Sequence, residues 1–335
     1  MTKKTSPILI WTLVVVSIAC FPIVIVKMAV PGFLGPEEPY RRITFGETEF
    51  RLLLDTGVVF QRLGRYKKAA SWFQKAERSA QHLSGDQYPF VVDAREHLVT
   101  SYQSQGRTDD AEHTYEAMVK TSMEAGEMLS EREQFAQAAS RFEDAEKFAG
   151  NLTTSRLQAL QAARAKQVNC FFALTKKTEA AVVAARMVET QRESGEPYDL
   201  QLAEYYFQLA YALGGSQDWA GAEEGWLASI EIYDAIIAHY SGSYDQEARA
   251  ANARSRRDFA IMNLAATYFN EKKMEQALSA ADLAYEGQFA QSASTAPLQL
   301  ITVGLQSATV LGNQDQEALW QQRLKDLCRG PNCRQ

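Results

Sequence analysis

The sequence predicts an all-α fold: an α-solenoid of helix-turn-helix repeats, preceded by one N-terminal transmembrane helix. Three observations support this prediction. Proline, which ends helices, occurs only three times between Tyr40 and Gly330. Small and large apolar residues recur at fixed spacings through the same stretch. Near the N-terminus lies a long apolar run without a charged side chain.

The composition favours a folded chain and argues against nucleic-acid binding. Apolar residues make up 46% of the 335 residues and aromatic residues 10%, which is enough for a packed core. Lysine and arginine total 35 against 41 acidic residues, so the formal net charge is -6. A general nucleic-acid-binding protein needs a basic surface, which this balance does not favour.

The apolar run from Ile8 to Val26 predicts that residues 1–30 form a membrane anchor. Its nineteen residues would reach roughly 28 Å as a helix, close to the ~30 Å hydrocarbon core of a bilayer. Lys3 and Lys4 precede the run and favour an N-terminus inside the cell. We therefore expect a single-pass membrane protein with its domain on the extracytoplasmic side, in the periplasm, the cytosolic side being the alternative.

Residues 31–44 are rich in proline and glycine and predict a stalk between the anchor and the folded domain. An alternative anchor is a lipid on Cys20, because Val16 to Cys20 loosely resembles a bacterial lipoprotein box. Ser17 stands where such boxes usually carry leucine, and the apolar run continues past Cys20. At the other end, Cys328 and Cys333 enclose a turn-forming tetrapeptide and could form a small disulfide in an oxidising compartment.

A helix-turn-helix pattern repeats from residue 45 to residue 327. In each unit, small residues let two helices cross closely, and large residues fill the space beside the crossing. Strong copies begin at Phe50, Ala203 and Asp258, and weaker copies fill the intervals. The copy from Phe50 contains Leu53, Gly57, Phe60, Gly64, Tyr66, Ala69, Phe73 and Ala76.

With these residues the sequence resembles the tetratricopeptide repeat (TPR) family, whose repeat is a helix-turn-helix of ~34 residues. The resemblance implies about six to seven repeats over residues 45–327, some of them degenerate, with residues 328–335 as a C-terminal tail. In TPR proteins the first helices of successive repeats line a concave groove that takes an extended peptide or a partner's helix. The matching positions give the candidate partner-binding residues Arg51, Arg62, Glu96, Gln103, Phe207, Tyr211, Phe269 and Asn270. For the apolar ones, ordinary packing is the alternative role.

Motifs for catalysis, a cofactor or a metal ion are not found in the sequence. The four histidines have no metal-ligand spacing, and no nucleophile elbow occurs. Gly214-Gly215-Ser216 lacks the ending of a phosphate loop. Arg254, Arg256 and Arg257 form one basic cluster, which is either a docking patch or a solvated helix face. We expect no enzyme activity, no cofactor and no metal ion.

These observations predict a membrane-anchored TPR scaffold or adaptor that mediates protein-protein interaction, expected in the cell envelope. Its partners would be a protein or peptide in the groove and a membrane at residues 8–26, with no nucleic acid. Two other functions stay open. One is a lipoprotein-type assembly factor anchored through Cys20, and the other is a mitochondrial-surface import receptor with a cytosolic domain.

Overall fold

A computed structural model describes residues 45–83, 86–193, 195, 199–241, 246–289 and 298–329. Over these residues thirteen α-helices follow one another and no strand is found, which confirms the predicted all-α repeat fold. The helices are α1 (Phe45–Arg62), α2 (Tyr66–Ala80), α3 (Tyr88–Gln103), α4 (Thr108–Glu131), α5 (Phe135–Ala149), α6 (Arg156–Ala173), α7 (Lys177–Arg192), α8 (Leu200–Gly215), α9 (Trp219–Tyr240), α10 (Glu247–Asn270), α11 (Met274–Ala284), α12 (Leu298–Leu311) and α13 (Gln314–Arg329). A π-helical segment, Tyr285–Phe289, extends α11.

The same tight turn joins two helices at seven places in the described chain. At each turn one residue has a positive φ between 58° and 69°. The backbone N–H of the next residue donates to the carbonyl five residues before it, a common way to end a helix. The positive-φ residues are Gly64, Gly106, Glu133, Thr175, Gln217, Lys272 and Gly312. Each turn defines one helix-turn-helix unit, and we number the units 1 to 7 in chain order.

Helix α4 belongs to two units at once. It is 24 residues long, begins just after the turn at Gly106 and ends just before the turn at Glu133. Its N-terminal half is therefore the second helix of unit 2, and its C-terminal half is the first helix of unit 3. This sharing explains how thirteen helices make seven units.

The first helices of the units line the inner side of the solenoid. Contacts beyond consecutive helices join α1 to α3, α4 to α6, α8 to α10 and α10 to α12, and all of these are first helices. Apart from the shared helix α4, no comparable contact joins two second helices in the described ranges. Because the first helices approach one another more closely, the chain curves with these helices inside.

Close helix crossings depend on glycine facing an aromatic ring. In three units a glycine on the first helix lies against the ring of a residue sixteen positions later on the second helix. A Cβ added to any of these glycines would overlap the ring, and each ring is at most 1% exposed. The pairs are Gly57–Phe73, Gly126–Phe142 and Gly304–Trp320. The small and large residues of the sequence pattern thus meet as predicted in units 1 and 3.

A buried arginine connects three helices of the first two units through hydrogen bonds. The Arg95 Nε on α3 donates to a carboxylate oxygen of Glu77 on α2 at 2.6 Å. The Arg95 Nη1 donates to the carbonyl of Ala117 at 2.8 Å and to the Thr121 hydroxyl at 2.6 Å, both on α4. One side chain therefore connects α2, α3 and α4.

The same set of hydrogen bonds recurs around an arginine sixty-nine residues later in the sequence. The Arg164 Nε on α6 donates to Glu146 on α5 at 2.8 Å. Its Nη1 donates to the carbonyl of Arg186 at 3.0 Å and to the Thr190 hydroxyl at 2.6 Å, both on α7. The glycine–aromatic pairs of units 1 and 3 are also sixty-nine residues apart, and so are the turns of these two units. Units 3 and 4 therefore repeat the framework of units 1 and 2. We call units 1 and 2 the first copy and units 3 and 4 the second copy.

The turn at Thr175 is strained, and its removal should stabilise the protein. Thr175 has a φ of 58°, a conformation that disfavours β-branched residues, whereas the equivalent turn of unit 2 has Gly106. We expect Thr175→Gly to raise the free energy of unfolding by about 1 kcal/mol, measured by urea denaturation. The reverse change, Gly106→Thr, should lower it by about the same amount. A loss of stability in Thr175→Gly would contradict this account of the turn.

Glu112 on α4 should make stability pH-dependent in acid. One of its carboxylate oxygens accepts hydrogen bonds from the Thr153 N–H at 2.9 Å, the Thr153 hydroxyl at 2.5 Å and the Thr154 N–H at 3.1 Å. These bonds lower the pKa of Glu112 from 4.5 to about 2. Because the folded-state pKa is depressed, the stabilisation is present above the unfolded pKa and is lost as pH falls from 4.5 towards about 2.

Glu112→Gln should therefore flatten the dependence of unfolding free energy on pH across this acid range, as followed by urea titrations at several pH values. Glu131→Gln, an exposed glutamate at the end of the same helix, is the control and should leave the profile unchanged. A Glu112→Gln profile as steep as that of the wild type would show that these bonds do not couple folding to pH.

The helices of the described residues contradict the prediction of a single-pass membrane localisation. None of the helices there has both the length and the apolar character needed to cross a membrane. The longest, α4 and α10, have 24 residues each and include many charged side chains. The predicted anchor (residues 1–30), the stalk (residues 31–44), Cys20 and Cys333 lie outside the described residues.

Candidate partner-binding surface

All eight residues predicted to bind a partner lie on first helices, and therefore on helices of the inner side. They are Arg51 and Arg62 on α1, Glu96 and Gln103 on α3, Phe207 and Tyr211 on α8, and Phe269 and Asn270 on α10. The structure divides them into two groups, one in units 1 and 2 and the other in units 5 and 6. Units 3 and 4 stand between these groups.

The polar members of the set are exposed. Arg51, Arg62, Gln103 and Asn270 have exposed side chains, and so has Glu96. Glu96 also accepts a hydrogen bond from the Lys147 ammonium of α5 at 3.1 Å. Exposed ion pairs of this kind contribute little to stability. All five polar side chains are accessible to a partner because they are exposed.

The two phenylalanines of the set also pack within the fold. Phe207 is half-buried and meets the ring of Trp226 edge to face, with ring centroids 4.8 Å apart. Phe269 is half-buried and packs against the apolar core of the C-terminal units. For both rings, the packing role coexists with any contact to a partner.

Tyr211 is the most exposed aromatic residue of the set, at 47%. Its ring meets Phe172 of α6 edge to face at 5.4 Å. The Lys177 ammonium of α7 lies 4.8 Å from the Tyr211 ring and 4.5 Å from the Phe172 ring. Cation–π contacts of this geometry hold the ring in place while leaving much of it open to solvent. Sequence reasoning did not select Phe172 or Lys177 for the site.

The inner side opens into a cleft of about 630 Å³ between α6 and α8, next to the end of α7. Among the described residues that line it, none is charged and four are glutamines. The lining residues are Thr154, Ser155, Leu157, Gln158, Gln161, Ala162, Ala165, Gln191, Gln201 and Tyr205. We call this opening the amide cleft. No residue in it had been predicted from the sequence as a binding residue.

A chain of hydrogen bonds fixes the side of the cleft formed by α7. The Gln161 Nε2 donates to the carbonyl of Met187 at 3.0 Å and to the Gln191 Oε1 at 3.2 Å. The Gln191 Nε2 donates in turn to the Asp199 carboxylate at 2.6 Å. Asp199 also accepts from the backbone N–H of Gln201 at 2.8 Å and thereby caps α8. The amides are thus joined to the helix that forms the opposite wall.

Tyr205 contributes a neutral hydroxyl to the cleft. The Gln201 Nε2 donates to the Tyr205 hydroxyl oxygen at 2.5 Å, and burial raises the pKa of Tyr205 to about 12. The phenol therefore keeps its proton at physiological pH and can donate a hydrogen bond. The polar groups of the cleft can accordingly donate and accept hydrogen bonds without carrying charge.

Ion pairs tie neighbouring first helices on both sides of the cleft. Lys166 of α6 pairs with Glu127 of α4 at 2.8 Å. Arg256 of α10 pairs with Glu204 of α8 at 3.1 Å. Between α6 and α8, by contrast, the described residues form no ion pair. The amide cleft is therefore the neutral interval on this part of the inner side.

The basic cluster of α10 is neutralised by neighbouring carboxylates. Arg254 pairs with Glu247 at 2.7 Å, and Arg256 pairs with Glu204 as described. Arg257 pairs with Asp234 at 3.1 Å. Since each arginine already has an acidic partner, the cluster does not present three free charges for docking.

Residues 49–124 match a family model described as tetratricopeptide repeat. Most of units 1 and 2 lies within these residues. No curated protein matches the sequence. Among solved structures, the apo form of RapI is 14% identical, with a TM-score of 0.52, covering 85% of this chain and 77% of that chain.

Two further solved structures have lower TM-scores. BtubC (BKLC) from P. vanneervenii is 13% identical, with a TM-score of 0.48, covering 81% of this chain and 95% of that chain. The apo form of the quorum sensor NprR from B. thuringiensis is 11% identical, with a TM-score of 0.42, covering 86% of this chain and 78% of that chain. The family match over the first two units and the likeness to RapI support a TPR-type helical repeat.

Proposed function

We propose that the chain is a TPR-type scaffold or adaptor that binds an extended segment of a protein partner along its first helices. It acts by holding the partner rather than by catalysing a reaction. The observation that carries this proposal is the amide cleft on the inner side. Surfaces of this kind suit a polypeptide because a glutamine side chain offers the same neutral donor and acceptor as a peptide bond.

The surroundings of the cleft support a partner that runs along the row of first helices. Tyr211 follows the cleft on α8 and is 47% exposed. Aromatic side chains bury a large area with few rotatable bonds, and they dominate the energetics of protein interfaces. The exposed polar residues Glu96, Gln103 and Asn270 continue the same inner side before and after the cleft.

Selection of peptides from a displayed random library against the full chain tests this proposal. We expect enriched peptides whose affinity falls when Tyr211 is replaced by alanine, because loss of a buried aromatic anchor costs about 2 kcal/mol or more. Leu283→Ala is the matched control, since Leu283 is 54% exposed and lies on the second helix α11. Equal binding losses in the two variants, or no enriched peptide at all, would refute binding along the first helices.

A further inference from the structure

Two of the differences between the two copies of the repeated framework place buried glutamines beside the amide cleft. With the offset of sixty-nine residues, Gln161 corresponds to Val92 and Gln191 corresponds to Ser122. The hydrogen bonds of the arginine three positions after each of Val92 and Gln161 are the same in both copies. The second copy therefore carries two buried amides where the first copy has a valine and a serine.

In the first copy the polar groups at the position equivalent to Gln191 form hydrogen bonds with one another. The Tyr88 hydroxyl lies 2.9 Å from the Ser122 hydroxyl and donates to the Asp144 carboxylate at 2.7 Å. Ser122 is fully buried. These polar groups therefore have partners within the protein, and the framework folds without glutamines at this position.

In the second copy a polar atom at the position equivalent to Val92 has no partner within the described residues. Gln161 is only 4% exposed, and its Oε1 forms no hydrogen bond within the described residues. A buried carbonyl oxygen without a donor is unfavourable, and native proteins rarely keep one without a reason. Gln161 lines the amide cleft, and the last torsion of a glutamine side chain turns easily. Rotation about this torsion would turn the oxygen towards a donor that enters the cleft, and would move the Nε2 away from the Met187 carbonyl and the Gln191 Oε1.

We propose, building on the function proposed above, that the amide cleft is a subsite for the side-chain amide of an asparagine or glutamine in the peptide partner. The ligand NH₂ donates to the Gln161 Oε1. The ligand carbonyl accepts from Gln158, an exposed glutamine at the cleft without a hydrogen bond of its own in the described chain. The subsite thereby supplies both halves of the hydrogen bonding that a primary amide requires.

The cleft selects against charged side chains. The described residues of its lining carry no charged group, so an entering carboxylate or ammonium would lose water without gaining a counter-ion from them. The nearest carboxylate in the network, Asp199, is already occupied by Gln191 and by the start of α8. An uncharged amide of nearly the same shape as a carboxylate avoids this cost, which makes charge the criterion for selection.

The first experiment uses acetamide as the probe, with acetate as a charged analogue of the same shape. The full-length protein is labelled so that glutamine side-chain amides are visible by NMR. We expect millimolar acetamide to shift the side-chain signals of Gln158, Gln161 and Gln191, and acetate to leave them unchanged. Equal responses to the two probes, or no response to acetamide, would overturn the amide subsite.

The second experiment uses the peptides enriched from the display library. The double variant Gln161→Val with Gln191→Ser installs the residues of the first copy, and we expect it to weaken binding about tenfold or more. Gln158→Ala, which does not disturb the buried network, should weaken binding in the same direction. Gln137→Ala, an exposed glutamine on α5, is the control and should bind as the wild type does. Circular dichroism and urea denaturation verify that each variant is folded.

The outcomes separate the subsite from the wider function. Enriched peptides that contain asparagine or glutamine and lose affinity in both cleft variants support the subsite. Peptides that bind these variants as tightly as the wild type overturn the subsite and leave the binding function standing. An acetamide response without any enriched peptide refutes the proposed function while the cleft itself remains an amide site.

Discussion

Glu146→Gln should destabilise the protein more than most surface changes. Glu146 is 8% exposed and accepts from Arg164 at 2.8 Å and from Arg186 at 2.8 Å through one oxygen. Its other oxygen accepts from the Gln167 Nε2 at 2.9 Å. Removing the charge leaves the Arg164 side chain, which is only 11% exposed, without its counter-ion, and breaking a buried pair typically costs about 3 to 5 kcal/mol. Urea denaturation of the full chain measures this loss.

The equivalent change in the first copy is the matched control. Among the described residues the Glu77 side chain binds Arg95 alone, and it is 21% exposed, against 10% for Glu146. Greater exposure to water and the smaller number of partners reduce the energetic penalty of removing the charge. Glu77→Gln should therefore lower the free energy of unfolding less than Glu146→Gln does. If the two variants lost the same stability, the extra arginine and the deeper burial of Glu146 would have no energetic role.

Trp320→Ala should have an effect of similar size. Trp320 on α13 is fully buried, and its ring covers Gly304 of α12. The indole also lies 4.2 Å from the Arg323 guanidinium. Removing so large a ring leaves a cavity at the end of the solenoid, and such truncations cost about 3 to 5 kcal/mol. The measurement is the midpoint and slope of urea unfolding.

Leu319→Ala is the control for this prediction, because the neighbouring Leu319 is 43% exposed. It should change the unfolding free energy by about 0.5 kcal/mol or less. A small effect of Trp320→Ala would show that unit 7 does not stabilise the rest of the array. The glycine-to-ring contact would then not be a general source of stability in this chain.

The helical repeat was predictable because its determinants are local in sequence. Gly57 and Phe73 lie sixteen residues apart, and their sizes alone indicate a close helix crossing. The sharing of α4 between two units was not predictable in the same way. The turn that divides its two roles has Glu133 at positive φ, whereas sequence reasoning looks for glycine there.

Trp320 was missed as the partner of Gly304 because unit 7 departs from the pattern. Its positive-φ residue, Gly312, comes eight residues after the small residue, whereas in unit 1 Gly64 follows Gly57 by seven. A template aligned on the turn glycine therefore slips by one residue, although Gly304 and Trp320 keep the spacing of sixteen residues. Outer repeats of a solenoid have a neighbour on one side only, which relaxes the sequence pattern.

The candidate binding surface was predictable only in part. Spacing identified the first helices, yet it could not distinguish Phe207, which packs on Trp226, from the more exposed Tyr211. The amide cleft joins Gln161 and Gln191, which are thirty residues apart on different helices. The one available signal was the internal repeat, in which Val92 and Ser122 stand at the equivalent positions.

Photo-crosslinking in living cells tests the central claim, partner binding along the first helices, most directly. Benzoylphenylalanine is introduced in place of Ala162, an exposed residue of the amide cleft, or in place of Leu283 on the second helix α11. The account predicts a discrete protein adduct from the Ala162 position that is absent from the Leu283 position. Adducts from Leu283 alone, or none from Ala162 while the protein remains folded, would contradict it.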